Sequence, residues 1–366
     1  MTSQIMINDL LRHYDSTSAV VQEAISRVLK SGWYVLGKEN EAFEKEFSQF
    51  CGVEYCIGVA NGTEAIELGL RALSARQESR VATVANAGYY TTTALNLIGA
   101  TPVYVDIDRQ TQLMDLNHLG RLVAQGEVDV VVITHLFGLL HDMEAVLQIT
   151  QPAGIPVFED CAQAHGARRG GRAAGSFGAA SSFSFYPTKN LGALGDGGAV
   201  ATQDAVIAAR LRKLRQYGWE AKYRVSVKDA RNSRLDEIQA AILRAKLPFL
   251  ETWNRRRREI ATLYSNNIRH PQVRCPPVYG EEYVGHLYVV TCDNRESLQQ
   301  HLASAGIVTD IHYPVPDHMQ SARKGLNDGL RLPVTEELAD KILTLPCYPE
   351  LGDDKVNHII TTINRW

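Results

Sequence analysis

The chain has 366 residues, of which 45% are hydrophobic and 22% are charged. This composition is typical of a soluble globular protein, and the length leaves room for one large and one smaller domain. The net charge of −3 provides no basic field for nucleic acid or an anionic membrane, and the longest apolar runs, such as VDVVVIT, are too short to span a bilayer.

The first two thirds of the chain alternate short apolar runs with amphipathic stretches. Apolar residues at helical spacing predict helices in EAIELGLRAL and TALNLIGA. Strands are predicted in YCIGVA (Tyr55–Ala60), RVATVA, TPVYVDID, VDVVVITHLFG, IPVFEDCAQAHGA, AASSFSFYPT and GGAVATQ. These strands are continuous apolar runs, as expected for a sheet that helices cover on both faces. The pattern therefore predicts an α/β domain with a mostly parallel central sheet.

The pattern changes after about Leu235. The long helical stretch DEIQAAILRAKLPFLETWNRRRREIATLYSNNI is interrupted at Pro248, which allows either two helices or one kinked helix. Beyond it we expect a strand in YVGHLYVVTC, a helix in ESLQQHLASAGI that ends at Gly306, a strand in VTDIHYPV and a short helix in LADKILTLPCYP. The elements predict a large domain, 1–246, and a smaller α+β domain, 247–366, on which the N-terminal segment could pack. The basic run Arg255–Arg258 is expected to be a solvated helix face.

The cysteines show neither a CxxC pair nor the spacing of metal ligands. They are Cys51, Cys56, Cys161, Cys275, Cys292 and Cys347. We therefore expect free thiols in a reducing cytoplasm, and no metal. The N-terminus, MTSQIMINDL, lacks the basic and apolar regions of a signal peptide, which agrees with a cytoplasmic location.

Lys189 lies between an aromatic run and a series of glycines in SFSFYPTKNLGALGDGGAV. A lysine at the end of a strand is commonly a solvated charge. The flanking aromatic residues and glycines instead indicate close backbone packing around a cavity. A desolvated lysine has a lowered pKa, and its neutral amine is the form that makes a Schiff base.

Asp160 ends the apolar strand in IPVFEDCAQAHGA, where a lone carboxylate is unfavourable unless a cation meets it. Asp160 could cap a helix or form a structural ion pair. Alternatively, it could hold a pyridine nitrogen protonated, with Gln163 hydrogen bonded to a ring substituent. His165 could act at the same place or be a core histidine.

The turn Asn61-Gly62-Thr63 joins a strand to a helix and exposes amide groups at the helix N-terminus. It is either an ordinary N-cap or a phosphate site, with the hydroxyls of Thr63 and Ser184 as further donors. It matches neither the Walker pattern GxxxxGK[ST] nor the dinucleotide pattern GxGxxG. An amine, a carboxylate and a phosphate cradle at the ends of strands are what pyridoxal phosphate requires, so these residues predict Lys189 as its Schiff-base lysine.

The chain resembles the sugar aminotransferases of the DegT/DnrJ/EryC1/StrS family, a branch of the fold type I pyridoxal-phosphate enzymes. The motifs that carry the resemblance are INDLLRHY, SGWYVLGKENEAFEKEF, NGTEAIELGLRAL, GATPVYVDID, FEDCAQAHGA, FSFYPTKNLGALGDGGAV, NSRLDEIQAA, HLYVV, AGIVTDIHYPVP and LTLPCYPEL. They run almost from end to end in the order that the family shows. The resemblance implies a three-layer fold type I domain with a mostly parallel sheet, followed by the smaller α+β domain.

The resemblance also implies roles for residues near the cofactor ring. Lys189 would form the internal aldimine and shuttle a proton. Asp160 would pair with the pyridinium nitrogen, and Gln163 would lie near the ring hydroxyl. An aromatic residue of ANAGYYTTTA, Tyr89 in preference to Tyr90, would stack on the ring.

The phosphate, by the same resemblance, would be bound by Gly62, Thr63 and Ser184. Asn232 in NSR would reach it from a neighbouring subunit, which implies a homodimer with shared active sites.

Substrate-binding residues are suggested around the mouth of the site. Tyr186 could face the sugar or be part of the core. His312 and Tyr313, in IHYP, open a loop that the family brings to the active-site mouth. Lys222, in WEAKYR, could cross to the partner's site to meet a hydroxyl or a diphosphate, or it could be solvated. Arg224 is a further candidate for the diphosphate.

Two features resemble the subgroup that aminates carbon 3 of nucleotide-linked 3-keto-6-deoxyhexoses. Asp196 replaces the glutamate common before the paired glycines, and Tyr186 occurs in FYPTK. The function expected is therefore transfer of an amino group from L-glutamate to a dTDP-linked 3-keto-6-deoxyhexose. The alternatives are a 4-keto nucleotide-sugar or keto-cyclitol aminotransferase, and a non-catalytic binding protein of the same fold. Dehydratase relatives carry histidine in place of the Schiff-base lysine, so the presence of Lys189 disfavours dehydration.

Overall fold

The computed structural model describes residues 4–366, and residues 1–3 of the N-terminal stretch considered above lie outside the described part. The helices are α1 (Leu10–Ser31), α2 (Lys38–Cys51), α3 (Gly62–Ala72), α4 (Tyr90–Ile98), α5 (Leu116–Ala124), α6 (Met143–Thr150), α7 (Ala205–Leu214), α8 (Glu237–Lys246), α9 (Leu250–Asn267), α10 (Arg295–Ser304), α11 (Pro333–Ala339) and α12 (Asp353–Asn364). The strands are β1 (Tyr55–Val59), β2 (Arg80–Val84), β3 (Thr101–Val105), β4 (Val130–Thr134), β5 (Val157–Asp160), β6 (Arg168–Arg169), β7 (Arg172–Ala173), β8 (Ala180–Ser184), β9 (Gly198–Thr202), β10 (Trp219–Ala221), β11 (Arg224–Val225), β12 (Val273–Arg274), β13 (Tyr288–Cys292) and β14 (Ile342–Leu345).

Seven strands form the central sheet, in the order β1-β9-β8-β5-β4-β2-β3. Strand β9 runs antiparallel to β1 and β8, and the other neighbouring strands pair in parallel. The prediction of a mostly parallel sheet is therefore confirmed. Parallel strands end at the same edge of the sheet, so the carboxyl ends of β4, β5 and β8 lie together. Asp160 at the end of β5 is in register with Thr134 on one side and Ser182 on the other.

Alternate residues of the buried strands pack against helices on opposite faces of the sheet. Val130 and Val132 of β4 belong to a cluster with residues of α3, α4 and α7. Val131 and Ile133 belong to a cluster with residues of α2, α5, α6 and α8. These helix, sheet and helix layers confirm the predicted three-layer architecture.

The C-terminal part of the chain has its own antiparallel sheet, in the order β12-β13-β14. The N-terminal segment packs against this part, because the amide of Ile5 donates to Gly306 O (2.8 Å) and the amide of Val308 donates to Ile5 O (2.9 Å). The division between domains 1–246 and 247–366 stays a prediction. Among residues 4–366, no helix combines the length and the apolar character needed to cross a membrane.

Of the two possibilities at Pro248, the structure has two helices, since a 3₁₀ turn, Leu247–Phe249, separates α8 from α9. The strand predicted in VTDIHYPV is wrong: this segment forms only an isolated bridge between Asp310 and Thr344. Pro314 lacks an amide hydrogen and cannot extend a ladder of hydrogen bonds.

The helix predicted in LADKILTLPCYP is also wrong. Helix α11 ends at Ala339, and the four buried residues of β14 pair with β13 instead. A short run of buried residues is compatible with a helix or with a strand when the sequence is read alone. Here the run forms a strand because β13 offers an edge with which it can pair.

The expectation of a solvated face at Arg255–Arg258 is wrong for Arg257. This side chain is buried and donates to the carbonyl oxygens of Gly285 and Cys347. The long aliphatic part of arginine allows such burial when carbonyl acceptors meet the guanidinium group.

Candidate active site

Asp160 is the last residue of β5, and it is buried. Its Oδ1 accepts a hydrogen bond from the amide of Ala162 (3.1 Å), and its Oδ2 accepts one from Thr134 Oγ1 (3.4 Å). Burial raises the pKa of Asp160, and the Ala162 amide and the positive charge of Lys189 oppose that rise. A buried carboxylate of this kind favours a cationic partner.

Lys189 lies in the turn after β8, where its amide donates to Tyr186 O (2.8 Å). The close backbone packing expected of the glycines is found, since a Cβ at Gly192 would lie 2.4 Å from Pro187 O. Burial lowers the pKa of Lys189 to about 8, although the charge of Asp160 raises it. The structure therefore brings Lys189 and Asp160 close enough for each charge to shift the pKa of the other.

Gln163 joins the loop after β5 to two distant parts of the chain. Its Oε1 accepts from the buried amide of Phe137 (2.6 Å), and its Nε2 donates to Tyr313 Oη (3.2 Å). Both ends of the amide are thus oriented, and Gln163 and Tyr313 form one wall beside Asp160.

The turn before α3 lies against the ends of β8 and β9. A Cβ at Gly62 would lie 2.5 Å from Ser184 Cβ, and a Cβ at Gly198 would lie 2.4 Å from Asn61 O. The Asn61 side chain accepts from the amide of Glu64 (2.9 Å), so the turn is an N-cap. The amides of Gly62 and Thr63 belong to the first turn of the helix, where amides have no intrahelical acceptor, so the phosphate interpretation stays compatible with the cap.

Tyr89 is the N-cap residue of α4 and is half-buried, whereas Tyr90 is 49% exposed. The Tyr90 ring meets the Tyr313 ring edge to face, with centroids 6.0 Å apart. The preference for Tyr89 as the stacking residue stays a prediction.

The two candidate histidines differ in their surroundings. His312 contacts Thr344 Oγ1 through Nδ1 (2.9 Å), and burial together with the charge of Lys189 lowers its pKa, which Asp310 opposes. His165 is fully buried, with its ring 5.7 Å from those of Phe183 and Phe185, and burial lowers its pKa to about 3. His165 is therefore a core histidine, and the charge of Lys189 acts on the pKa of both His165 and His312.

Three further candidates lie at the surface. Tyr186 is 52% exposed, which excludes the core interpretation. Lys222 and Arg224 are exposed on the hairpin of β10 and β11, where Lys222 Nζ lies 5.2 Å from the Tyr223 ring and Arg224 pairs with Glu220 at 3.5 Å. Their substrate roles stay predictions.

Asn232 is exposed in a segment that is held near the turn before α3. Its neighbour Ser233 is buried and accepts from the amide of Ala60 (3.1 Å), and Arg231 pairs with the buried Glu67 (2.7 Å). An exposed amide on a fixed segment suits contact with a second subunit, and that role stays a prediction.

Sequence reasoning missed the buried pair of Glu159 and His135 (2.9 Å). The pair adjoins Asp160, because Glu159 precedes it in β5 and the amide of His135 donates to Asp160 O (3.1 Å). Glu159 also accepts from the amides of Gly175, Phe177 and Gly178. Burial alone would raise the pKa of Glu159, but the bonds from His135 and these amides lower it. These two side chains and Cys161 have the proximity of metal ligands, but the oxygens of Glu159 already accept four hydrogen bonds, from His135 and the three amides. The only signal in the sequence was Glu159 itself, the first acidic residue in FED, and its partners are too distant in sequence to identify.

Asp317 was also missed. It is buried, accepts from the amide of Tyr89 (2.9 Å) and from Thr92 Oγ1 (2.6 Å), and comes from the C-terminal part of the chain. Only its nearness to IHYP in the sequence could have suggested a place at the site.

The seven-stranded, mostly parallel sheet between helix layers is the α/β fold of type I, and a lysine and a buried carboxylate lie at its carboxyl edge. The sequence model of the DegT/DnrJ/EryC1/StrS aminotransferase family matches residues 16–364, and the chain belongs to this family.

Three known proteins illustrate how similar its members are to this chain. The dTDP-3-amino-3,6-dideoxy-alpha-D-galactopyranose transaminase of Aneurinibacillus thermoaerophilus is 42% identical over 347 residues, which cover 94% of this chain and 95% of that protein. The erythromycin biosynthesis sensory transduction protein EryC1 of Saccharopolyspora erythraea is 40% identical over 359 residues, which cover 97% of each chain. The structure of S. venezuelae DesV in complex with a ketimine intermediate superposes with a TM-score of 0.96 at 37% identity, covering 100% of this chain and 99% of that one.

Proposed function

We propose that the protein is a pyridoxal-phosphate-dependent aminotransferase that moves the amino group of L-glutamate to carbon 3 of a dTDP-linked 3-keto-6-deoxyhexose. The product would be a dTDP-linked 3-amino-3,6-dideoxyhexose. The observation that carries the proposal is the placement of Lys189, in the turn after β8, near the buried Asp160 at the end of β5: burial lowers the pKa of Lys189 to about 8, and the charge of Asp160 opposes that shift.

The residues present fit pyridoxal phosphate. Asp160 offers a buried carboxylate for a protonated ring nitrogen, and Gln163 offers a fixed amide beside it. Gly62 packs too closely against Ser184 to carry a Cβ, so the helix N-terminus, which favours a phosphate, lies directly against the end of β8. When bound, the cofactor supplies an electron sink for the bond changes at the amino-bearing carbon.

The chain itself supplies the proton chemistry and the orientation. With a pKa of about 8, the Lys189 amine can lose and regain its proton close to neutral pH. It can therefore act both as nucleophile and as the group that accepts and returns a proton. Asp160 would hold a positive charge at the ring nitrogen of the bound cofactor, because a buried carboxylate is stabilised by a cation. Glutamate and the keto-sugar would use the same site in turn, which predicts ping-pong kinetics.

The sugar assignment is supported by the relative from Aneurinibacillus thermoaerophilus, whose name specifies a dTDP-3-amino-3,6-dideoxyhexose. For the substrate contacts we propose Tyr186, Lys222, His312 and Tyr313. We further propose a homodimer in which Asn232 reaches the partner's phosphate, and a cytoplasmic location, which the free thiols of all six cysteines support.

The test combines a spectrum with product analysis. The purified protein with pyridoxal phosphate is expected to show a visible absorption band of the bound cofactor that L-glutamate bleaches, and Lys189→Ala should lack that band. NMR of the product from a 3-keto and a 4-keto dTDP-hexose then identifies the aminated carbon. Amination of the 4-keto sugar or of a keto-cyclitol alone would replace the proposed substrate. A protein that stays colourless with pyridoxal phosphate would leave the non-catalytic alternative.

A further inference from the structure

Tyr89 has a backbone conformation that tyrosine rarely adopts. Its φ is 69° and its ψ is 3°, directly after Gly88 with a φ of 79°. In this left-handed region the side chain of an L-residue crowds its own backbone, so the conformation persists only where neighbouring groups hold it. The direction of the Tyr89 ring depends on this conformation.

The groups that hold Tyr89 come from Asp317. Tyr89 provides no side-chain cap for α4, and the Asp317 carboxylate replaces one: Oδ1 accepts from the Tyr89 amide (2.9 Å) and Oδ2 accepts from Thr92 Oγ1 (2.6 Å). The backbone amide of Asp317 donates to Ala85 O (2.7 Å). A single buried residue thus makes three hydrogen bonds to the segment 85–92.

The same stretch of chain also carries Tyr313. A Cβ at Gly88 would lie 2.9 Å from the Tyr313 ring, whose hydroxyl group meets Gln163. The segment 313–317 therefore fixes both the Gln163 side of the site and the backbone of Tyr89.

The charged and titratable groups around Asp317 come from three elements. Tyr104 of β3 hydrogen bonds to Thr92 (3.0 Å), Arg323 lies in the 3₁₀ turn that follows, and His318 is the next residue. Burial raises the pKa of Asp317 to about 7, and Thr92, the Tyr89 amide and Arg323 oppose that rise. The carboxylate consequently changes its protonation state near neutral pH.

We propose that Asp317 is a positioning residue that fixes Tyr89 in its left-handed conformation and so sets the direction of the Tyr89 ring at the cofactor site. This rests on the proposed function for the role of the Tyr89 ring, whereas the link between Asp317 and Tyr89 stands on geometry alone.

The matched control is Asp106. This buried carboxylate caps α11 across the same contact between N-terminal and C-terminal parts, accepting from the amides of Val334 (3.1 Å) and Thr335 (2.9 Å). It makes no hydrogen bond to Tyr89. Asp106→Ala should therefore lower stability as Asp317→Ala does, without altering the segment 85–92.

The first readout is the dissociation constant of pyridoxal phosphate. Asp317→Ala is expected to raise it about threefold to tenfold, the range for loss of one aromatic contact. Asp106→Ala should leave it unchanged. The double variant Tyr89→Ala with Asp317→Ala should bind no more weakly than Tyr89→Ala alone, because Asp317 acts through Tyr89. Additive losses, or an equal loss in Asp106→Ala, would overturn the proposal.

The second readout is amide hydrogen exchange of the protein without cofactor. Asp317→Ala should speed exchange of the amides from Tyr89 to Thr92, and Asp106→Ala should not. Protection of the Tyr89 amide, corrected for its intrinsic rate, should weaken as pH falls from about 8 to about 6, and Asp317→Asn should show the low-pH value throughout. Unchanged exchange in Asp317→Ala would refute the link. A wild-type protein that does not bind the cofactor would refute the proposed function. The hydrogen exchange of the cofactor-free protein would still test the link between Asp317 and Tyr89.

Discussion

Lys189 and Asp160 are each pushed by burial toward neutrality and by the other toward charge. The opposition leaves a lysine that loses its proton near neutral pH beside a carboxylate that prefers a cation. The opposed effects on the two pKa values suit a site where the lysine gives up its proton and the carboxylate retains its charge.

Asp160→Asn keeps the shape of the side chain and removes its charge. Loss of a charge-assisted hydrogen bond is worth about 1.5–3 kcal/mol, so the rate constant for the reaction with glutamate should fall about tenfold to a hundredfold. Because burial raises the pKa of Asp160, the ionised group disfavours folding once pH exceeds its unfolded pKa. The cofactor-free variant should therefore be at least as stable as wild type at neutral pH. Stopped-flow absorbance and thermal denaturation measure the two effects, and a matching fall in both would indicate a structural role instead.

At the scale of elements, the phosphate cradle depends on how closely α3 approaches β8 and β9. At Gly62 and Gly198 the opposing atoms lie so close that no residue with a Cβ fits without movement. The glycines of the sequence thus predict the close approach, but the identity of the opposing atoms follows from the strand order.

Gly62→Ala tests this cradle. Its Cβ would lie 2.5 Å from Ser184 Cβ, so the turn must move, and overpacking of this kind disfavours the site by about 1–3 kcal/mol. We expect the dissociation constant of pyridoxal phosphate to rise about tenfold, as measured by absorbance titration. The control is Gly120→Ala in α5, where a Cβ meets nothing within 4 Å and should add up to about 1 kcal/mol of stability. Equal affinities in the two variants would show that the cradle does not bind the phosphate.

At the scale of the whole molecule, the N-terminal and C-terminal parts cap each other's helices. Asp317 caps α4, whose own N-cap residue has no side-chain bond, and Asp106 does the same for α11. The site wall is therefore formed only when both parts are docked.

The proposed shared site predicts complementation between defective subunits. In a mixed dimer of Lys189→Ala and Asn232→Ala chains, one site regains both native residues and the other lacks both. An equal mixture that reassociates at random should recover about a quarter of wild-type activity. Refolding the two variants together and assaying turnover measures this, with each variant refolded alone as the control. Activity no higher than that of the separate variants would argue that Asn232 serves its own subunit.

The sequence alone predicted the parts of the protein that depend on local pattern. Buried apolar runs specified the strands of the parallel sheet, and the sequence predicts Lys189, Asp160 and the turn at Gly62 as parts of the site because each lies in a continuous motif. Continuous apolar runs separated by amphipathic helices have few other ways to bury their surface.

Tertiary structure alone decided the contacts between distant segments. Residues Ile342–Leu345 form strand β14 because they pair with the edge of β13. Arg257 is buried where carbonyl groups accept its hydrogen bonds, and Asp317 contacts Tyr89, which is 228 residues away in the sequence. Such contacts leave no periodic signal, since a hydrogen bond between distant residues depends on where the chain folds back and not on what neighbours each residue in sequence.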